Sequence, residues 1–157
     1  GRTKEFLVAL SAVVAIFLNT LFEEFVPNYS TMLAGINPNL QFFIRFGILV
    51  VITVLGYITP SLPKLNAIKA VPPSRIRDVF WGLAFGAMNG YLIFGTAWYY
   101  LHQAGYPFSI ITAPDANTVV GAQALAMISK LPPEILTPPG LYFAIAIAFV
   151  FVLGAFV

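Results

Sequence analysis

Residues 79–101, VFWGLAFGAMNGYLIFGTAWYYL, contain no formally charged side chain. A helix needs roughly 20 predominantly apolar residues to cross the hydrocarbon of a bilayer, and this stretch supplies them. Three further runs share its character. Residues 6–22 lie between Arg2, Lys4 and Glu5 on one side and Glu23 and Glu24 on the other. Residues 42–58 carry Arg45 near their start and have Pro60 just past their end. Residues 141–157 follow the helix-start signal Pro138, Pro139 and Gly140. The runs are continuously apolar, whereas the strands of a transmembrane barrel would alternate. The expected fold is an all-α integral membrane protein, one membrane domain with about four transmembrane helices.

Composition agrees with that placement. Of 157 residues, 59% are apolar and 9% charged, against about 45–50% and about 25% in a soluble domain. The mean hydropathy is +0.88. Without cysteine, the chain is not a disulfide scaffold and offers no thiolate to an iron–sulfur cluster or to nucleophilic chemistry. The net charge is +2, but the basic residues form no stripe suited to phosphates, so nucleic acid is not an expected partner. The chain opens on Gly1 and stops inside an apolar run, as a processed or incompletely represented polypeptide would, and further helices outside it are compatible with this.

Lys and Arg in short loops orient a membrane protein. Arg2 and Lys4 flank the first run, and Lys64, Lys69, Arg75 and Arg77 lie in the second loop, residues 59–78. The first loop, residues 23–41, has no Lys or Arg, and the third, residues 102–140, has only Lys130. The expected arrangement places the N-terminal flank and loop 59–78 in the cytoplasm and loops 23–41 and 102–140 outside. The first loop reads as turn-rich, and the second, with Pro60, Pro63, Pro72 and Pro73, as a stiff, irregular connector. Within the third, residues 115–131 read as a short amphipathic outer-face helix with an apolar stripe at Val120, Ala124, Met127, Ile128 and Leu131, ended by Pro132 and Pro133.

The sharpest pattern is Gly82, Gly86 and Gly90, four residues apart on one helix face, with Asn89 beside them. Such a strip lets another helix backbone approach closely, within this chain or from a second one. Trp81 and the group Trp98, Tyr99 and Tyr100 stand near opposite ends of the same run, as aromatic belts do. Arg45 is the one charge set inside an apolar run; a pair with Glu23 or Glu24 would lower its cost, and snorkelling to lipid phosphate is the alternative. Asn19 and Asn89 suit interhelical hydrogen bonds. His102, the only histidine, cannot supply two haem ligands or a metal triad, but with Trp98 and Tyr99 it could serve a pigment or quinone. Without paired carboxylates, phosphate loop or metal-ligand cluster, neither catalysis nor a cofactor is expected.

Arg77-Asp78 followed by Gly82, Gly86 and Gly90 resembles the signature helix of the colicin V production protein family. The opening Gly1-Arg2-Thr3-Lys4-Glu5-Phe6 resembles the start of that family's second helix. The likeness extends over about residues 1–105 and implies a small bacterial inner-membrane protein linked to export and envelope physiology. Three functional readings result. The first is a non-catalytic accessory subunit packed among other transmembrane subunits and lipids, as in a respiratory or photosynthetic electron-transfer complex. The second is a stand-alone export or envelope protein, and the third a pigment- or quinone-binding subunit.

Overall fold

The computed structural model describes residues 2–58 and 75–156. Among these, all regular structure is helical: α1 (Arg2–Phe25), α2 (Tyr29–Gly35), α3 (Pro38–Ile58), α4 (Arg75–Gln103), α5 (Val119–Ile128), α6 (Pro132–Ile135) and α7 (Gly140–Phe156). Three segments are long and apolar enough to cross a membrane: Glu5–Phe25, Pro38–Ile58 and Arg75–Gln103. No more than 33% of any of them is buried within the chain. Their outward side chains, among them Leu83, Phe94, Val51 and Phe43, form an apolar surface far larger than water tolerates on a monomer. The expected fourth span corresponds to α7, whose 17 residues lie at the short limit for crossing. Three helices are therefore long and apolar enough to span a membrane, and the expected count of four is not reached.

Two of these helices, α1 and α4, outrun their apolar runs at both ends, and α3 does so at its start, because charged and polar side chains continue a helix beyond an apolar run. At 1.5 Å per residue, the 29 residues of α4 reach about 44 Å, against about 30 Å of hydrocarbon. Pro38 opens α3 at a position where no amide hydrogen is needed. At the far end of α4, Gly105 takes φ 77°. Its amide donates to His102 O and that of Tyr106 to Leu101 O, each at 3.0 Å. This paired closure ends the helix and turns Tyr106 back onto it.

Packing centres on α1, which touches α2, α3, α4 and α7. Its buried positions include Ala9, Ala12 and Ala15, small enough for neighbouring backbones to come close. Gly56 of α3 fits against Ser11 and Leu7, where an added Cβ would sit 1.8 Å from Ser11 Oγ. Contacts of residue 89 with residue 5 and of residue 100 with residue 19 run α1 and α4 in the same direction. Gly56 beside Leu7 and Arg45 beside Glu23 run α3 oppositely. Tyr142, against Phe17 and Phe25, starts α7 at the Glu23 end of the bundle.

The connecting segments depart from the sequence expectations. The first loop contains α2, entered through Asn28 at φ 65°. The expected helix over residues 115–131 is shorter, because the Asp115 side chain accepts from Asn117 N and Thr118 caps α5 by accepting from Gly121 N. Pro132 and Pro133 do not merely end it; they begin α6. The apolar stripe is divided, with Ile128 and Leu131 buried but Val120 and Met127 exposed. Lys64 and Lys69 lie outside the described residues.

Candidate functional site

A polar pocket of about 160 Å³ opens at the Glu23 end of the bundle, between α1, α4 and the segment after α6. Asn19, Thr20, Glu23 and Glu24 come from α1, and Tyr99 and Tyr100 from α4. On α1, positions 16, 19, 20, 23 and 24 share one face by helical spacing. The cover is held by α6: Pro132 packs on Gly95, where a Cβ would meet Pro132 Cδ at 2.8 Å.

The pocket floor is a hydrogen-bonded network between three helices. Asn19, 2% exposed, donates through Nδ2 to Arg45 O at 3.3 Å and to Tyr100 Oη at 3.0 Å. Arg45 directs Nη2 at 2.5 Å and Nε at 3.2 Å to one oxygen, Glu23 Oε1. The guanidinium thus leaves the helix face for its partner. Glu24 does not join this pair; it accepts from Tyr142 Oη at 2.9 Å and ties α7 to α1. Tyr99 Oη donates to Glu134 at 3.0 Å. Tyr29 of α2 packs its ring 5.7 Å from that of Phe22. Burial pushes its phenol up, the Glu23 carboxylate adds to that, and Arg45 works against it.

Asn19 Oδ1 is buried without a hydrogen-bond partner among the described residues. Exchanging the amide's oxygen and nitrogen would let the oxygen accept from Tyr100 Oη, but it would set two oxygens against each other at Arg45 O and leave the NH2 in the unpaired position. An unpaired buried carbonyl costs about 1–3 kcal/mol.

The aromatic group at the end of α4 does not act as one unit. Tyr100 is 3% exposed and belongs to the core with Ala15 and Leu49. Trp98 Nε1 donates to Tyr106 Oη at 3.1 Å, and His102 Nδ1 lies 3.3 Å from the same oxygen. His102 and Trp98 therefore meet each other at Tyr106, whereas Tyr99 faces Glu134 and the pocket. Among the described residues no group of His, Cys, Asp or Glu could hold a metal ion.

Packing at the glycine strip is expected either within the chain or against a second one, and among the described residues the strip makes no close contact within the chain. A Cβ at Gly82, Gly86 or Gly90 would meet nothing within 4 Å among the described residues. Asn89, on the neighbouring face, does reach α1, donating to Glu5 O at 3.1 Å. The glycines that receive close contacts from another helix are Gly56 and Gly95, which no short motif marks, while Gly121 is crowded only by the turn that opens α5. Ser11 is occupied locally, its Oγ donating to Leu7 O at 2.7 Å.

No protein family, curated protein or solved structure matches the chain. The likeness to the colicin V production proteins rests on the residues quoted for it.

Proposed function

We propose that this chain is a non-catalytic membrane subunit whose α4 seats a transmembrane helix of another subunit. The observation that carries this reading is the open glycine face. Among the described residues, Gly82, Gly86 and Gly90 have nothing within 4 Å of a would-be Cβ, and the exposed apolar side chains of Val79, Phe80 and Leu83 stand around them. Glycine is a poor helix former, so three of them on one face give up propensity unless close packing returns it. In lipid, that return comes from a neighbouring helix backbone.

The same reading places the protein in a bacterial inner membrane with loops 59–78 inside and 102–140 outside, and has α7 cross as a fourth span. The direction of each helix relative to α1 supports that alternation. An electron-transfer complex is a home that suits an accessory subunit of this composition.

The test is purification in mild detergent, followed by native gel and mass spectrometry of wild type and Gly86→Ile. The wild type should carry a second membrane polypeptide, and Gly86→Ile should lose it while remaining folded. A wild-type chain that runs alone, or a Gly86→Ile complex of unchanged stability, would overturn the proposal.

A further inference from the structure

We infer that residues 116–140 form a re-entrant hairpin beside α4 that sets Lys130 at about mid-depth in the membrane, where its ammonium pairs with a carboxylate on a transmembrane helix of another subunit. The pairing rests on the subunit reading above; the hairpin does not. Its register is read from α4. Phe108 packs on Phe42 and Phe43 near the start of α3, so the chain leaves α4 at the Gln103 end of the bundle. Further on, Tyr91 Oη donates to Lys130 O, and Leu131 and Pro132 lie against Gly95. Tyr99 Oη then reaches Glu134, and Tyr142 meets Glu24. From Lys130 onward the contacts therefore climb α4 from Tyr91 back towards Gln103. Tyr91 stands ten residues from Leu101 and twelve from Val79, the ends of the apolar run, or about 15 and 18 Å at 1.5 Å per residue. The 10 residues of α5 give about 15 Å of rise, which matches the descent.

The chemistry of the hairpin suits hydrocarbon everywhere except at its tip. No charged side chain lies between Asp115 and Lys130, and the side chains that α5 exposes include Val119, Val120 and Met127. At the turn, Lys130 N donates to Met127 O and Leu131 N to Ile128 O, so these amides are paired within the chain, as a bilayer interior demands. Lys130 is exposed and has no ion pair among the described residues. A lysine stem reaches about 6 Å, too short to carry the charge to lipid phosphate at either boundary. A cation at such depth calls for a partner of opposite charge. The chain's own carboxylates are placed elsewhere. Glu23, Glu24 and Glu134 stand at the Gln103 end, Asp115 precedes the hairpin, and Glu5 and Asp78 each turn an oxygen into the chain. Another polypeptide is therefore the source. At roughly 100° per residue, Tyr91 and Gly95 lie on the side of α4 away from Gly82 and Gly86, so this is a second contact surface, distinct from the glycine face.

Two measurements on the full chain test the inference. In native membranes, Ala116→Cys at the mouth of the hairpin and Ser129→Cys at its tip are treated with an impermeant thiol reagent. Ala116→Cys should be labelled, and Ser129→Cys at least about tenfold more slowly from either side, because the reacting species is a thiolate in water. In mild detergent, native mass spectrometry compares the companions of wild type, Lys130→Met and Lys130→Arg. Lys130→Met should carry about tenfold less of one companion polypeptide, as expected when one partner of a buried pair is removed. The isolated Lys130→Met chain should melt with wild type, because the replaced side chain is exposed. Lys130→Arg keeps the charge and should keep the companion. Equal labelling of the two cysteines would overturn the hairpin. A companion retained by Lys130→Met, lost equally from Lys130→Arg, or identified as a second copy of this chain would overturn the pairing alone. A wild-type chain without any companion would overturn the pairing and the subunit reading together.

Discussion

Arg45 and Glu23, 22 residues apart in the chain, meet at 2.5 Å where α3 passes the end of α1. Their side chains are 9% and 26% exposed, so the pair is largely withdrawn from solvent. Two guanidinium nitrogens, Nε and Nη2, converge on a single carboxylate oxygen, while the Arg45 main-chain carbonyl takes the Asn19 amide. One residue thus anchors α3 to α1 through its charge and its backbone together.

Removal of one partner should cost more than removal of both. Arg45→Met or Glu23→Gln leaves a buried group without its counterpart, and each is expected to destabilise by about 2–4 kcal/mol, below the usual range for a buried pair because Glu23 keeps some solvent. The double variant should recover at least half of that loss. Unfolding of the detergent-solubilised chain measures it, and additive losses would show that the two charges act independently.

Gly56 and Gly86 should respond oppositely to a methyl group. Gly56→Ala places its Cβ 2.5 Å from Ser11 Cβ and 3.0 Å from Leu7 O, an overlap expected to cost about 1–3 kcal/mol. Ser11→Gly in that background removes the nearest atoms and should restore part of the loss, whereas Ser11→Ala keeps the Cβ and should not. Gly86→Ala should leave the isolated chain as stable as wild type or slightly more so, by its better helix propensity. Thermal melts of the four variants decide the matter, and equal sensitivity at the two glycines would contradict the packing described.

Asn19→Leu should exceed Tyr100→Phe in cost. The first removes donors to both Arg45 O and Tyr100 Oη; the second leaves the bond to Arg45 O in place. At roughly 0.6–2 kcal/mol per interhelical bond, the difference should be about 1 kcal/mol. A double-mutant cycle between the two positions reads their coupling, and a value near zero would remove the network from the account of the pocket.

Single cysteines at Lys69 and Ala116, in a chain with none of its own, should react with an impermeant thiol reagent from opposite sides of the membrane. Lys69 belongs to the basic loop expected to remain inside. Labelling of both from one face would overturn the orientation proposed above.

The spanning helices were legible because their signal is local: an uninterrupted apolar run needs no knowledge of its neighbours. The same locality explains what escaped. Gly56 and Gly95 become close contacts only when Ser11 and Pro132 arrive from other helices, whereas the regularly spaced Gly82, Gly86 and Gly90 drew attention and have no neighbour within the described residues. Tyr99 and Tyr100 are adjacent in sequence but about 100° apart around α4, so one reaches Glu134 and the other enters the core. The acidic residues at the end of α1 were visible as partners for Arg45. Which of them would pair depended on helix rotation, and that depended on the whole interface.

The central position of α1 has a consequence for biosynthesis. Translation delivers this helix before any of the helices that cover it, with Asn19 and Glu23 already in place near its end. Arg45 arrives with α3 to neutralise the carboxylate and to accept one bond from the Asn19 amide, Tyr100 arrives with α4 to accept the second, and Tyr142 arrives last to meet Glu24. The penalty of exposing these groups to lipid falls in three steps as the chain elongates, so a ribosome stalled between α3 and α4 would leave an insertion intermediate with its charge matched and its amide half paired.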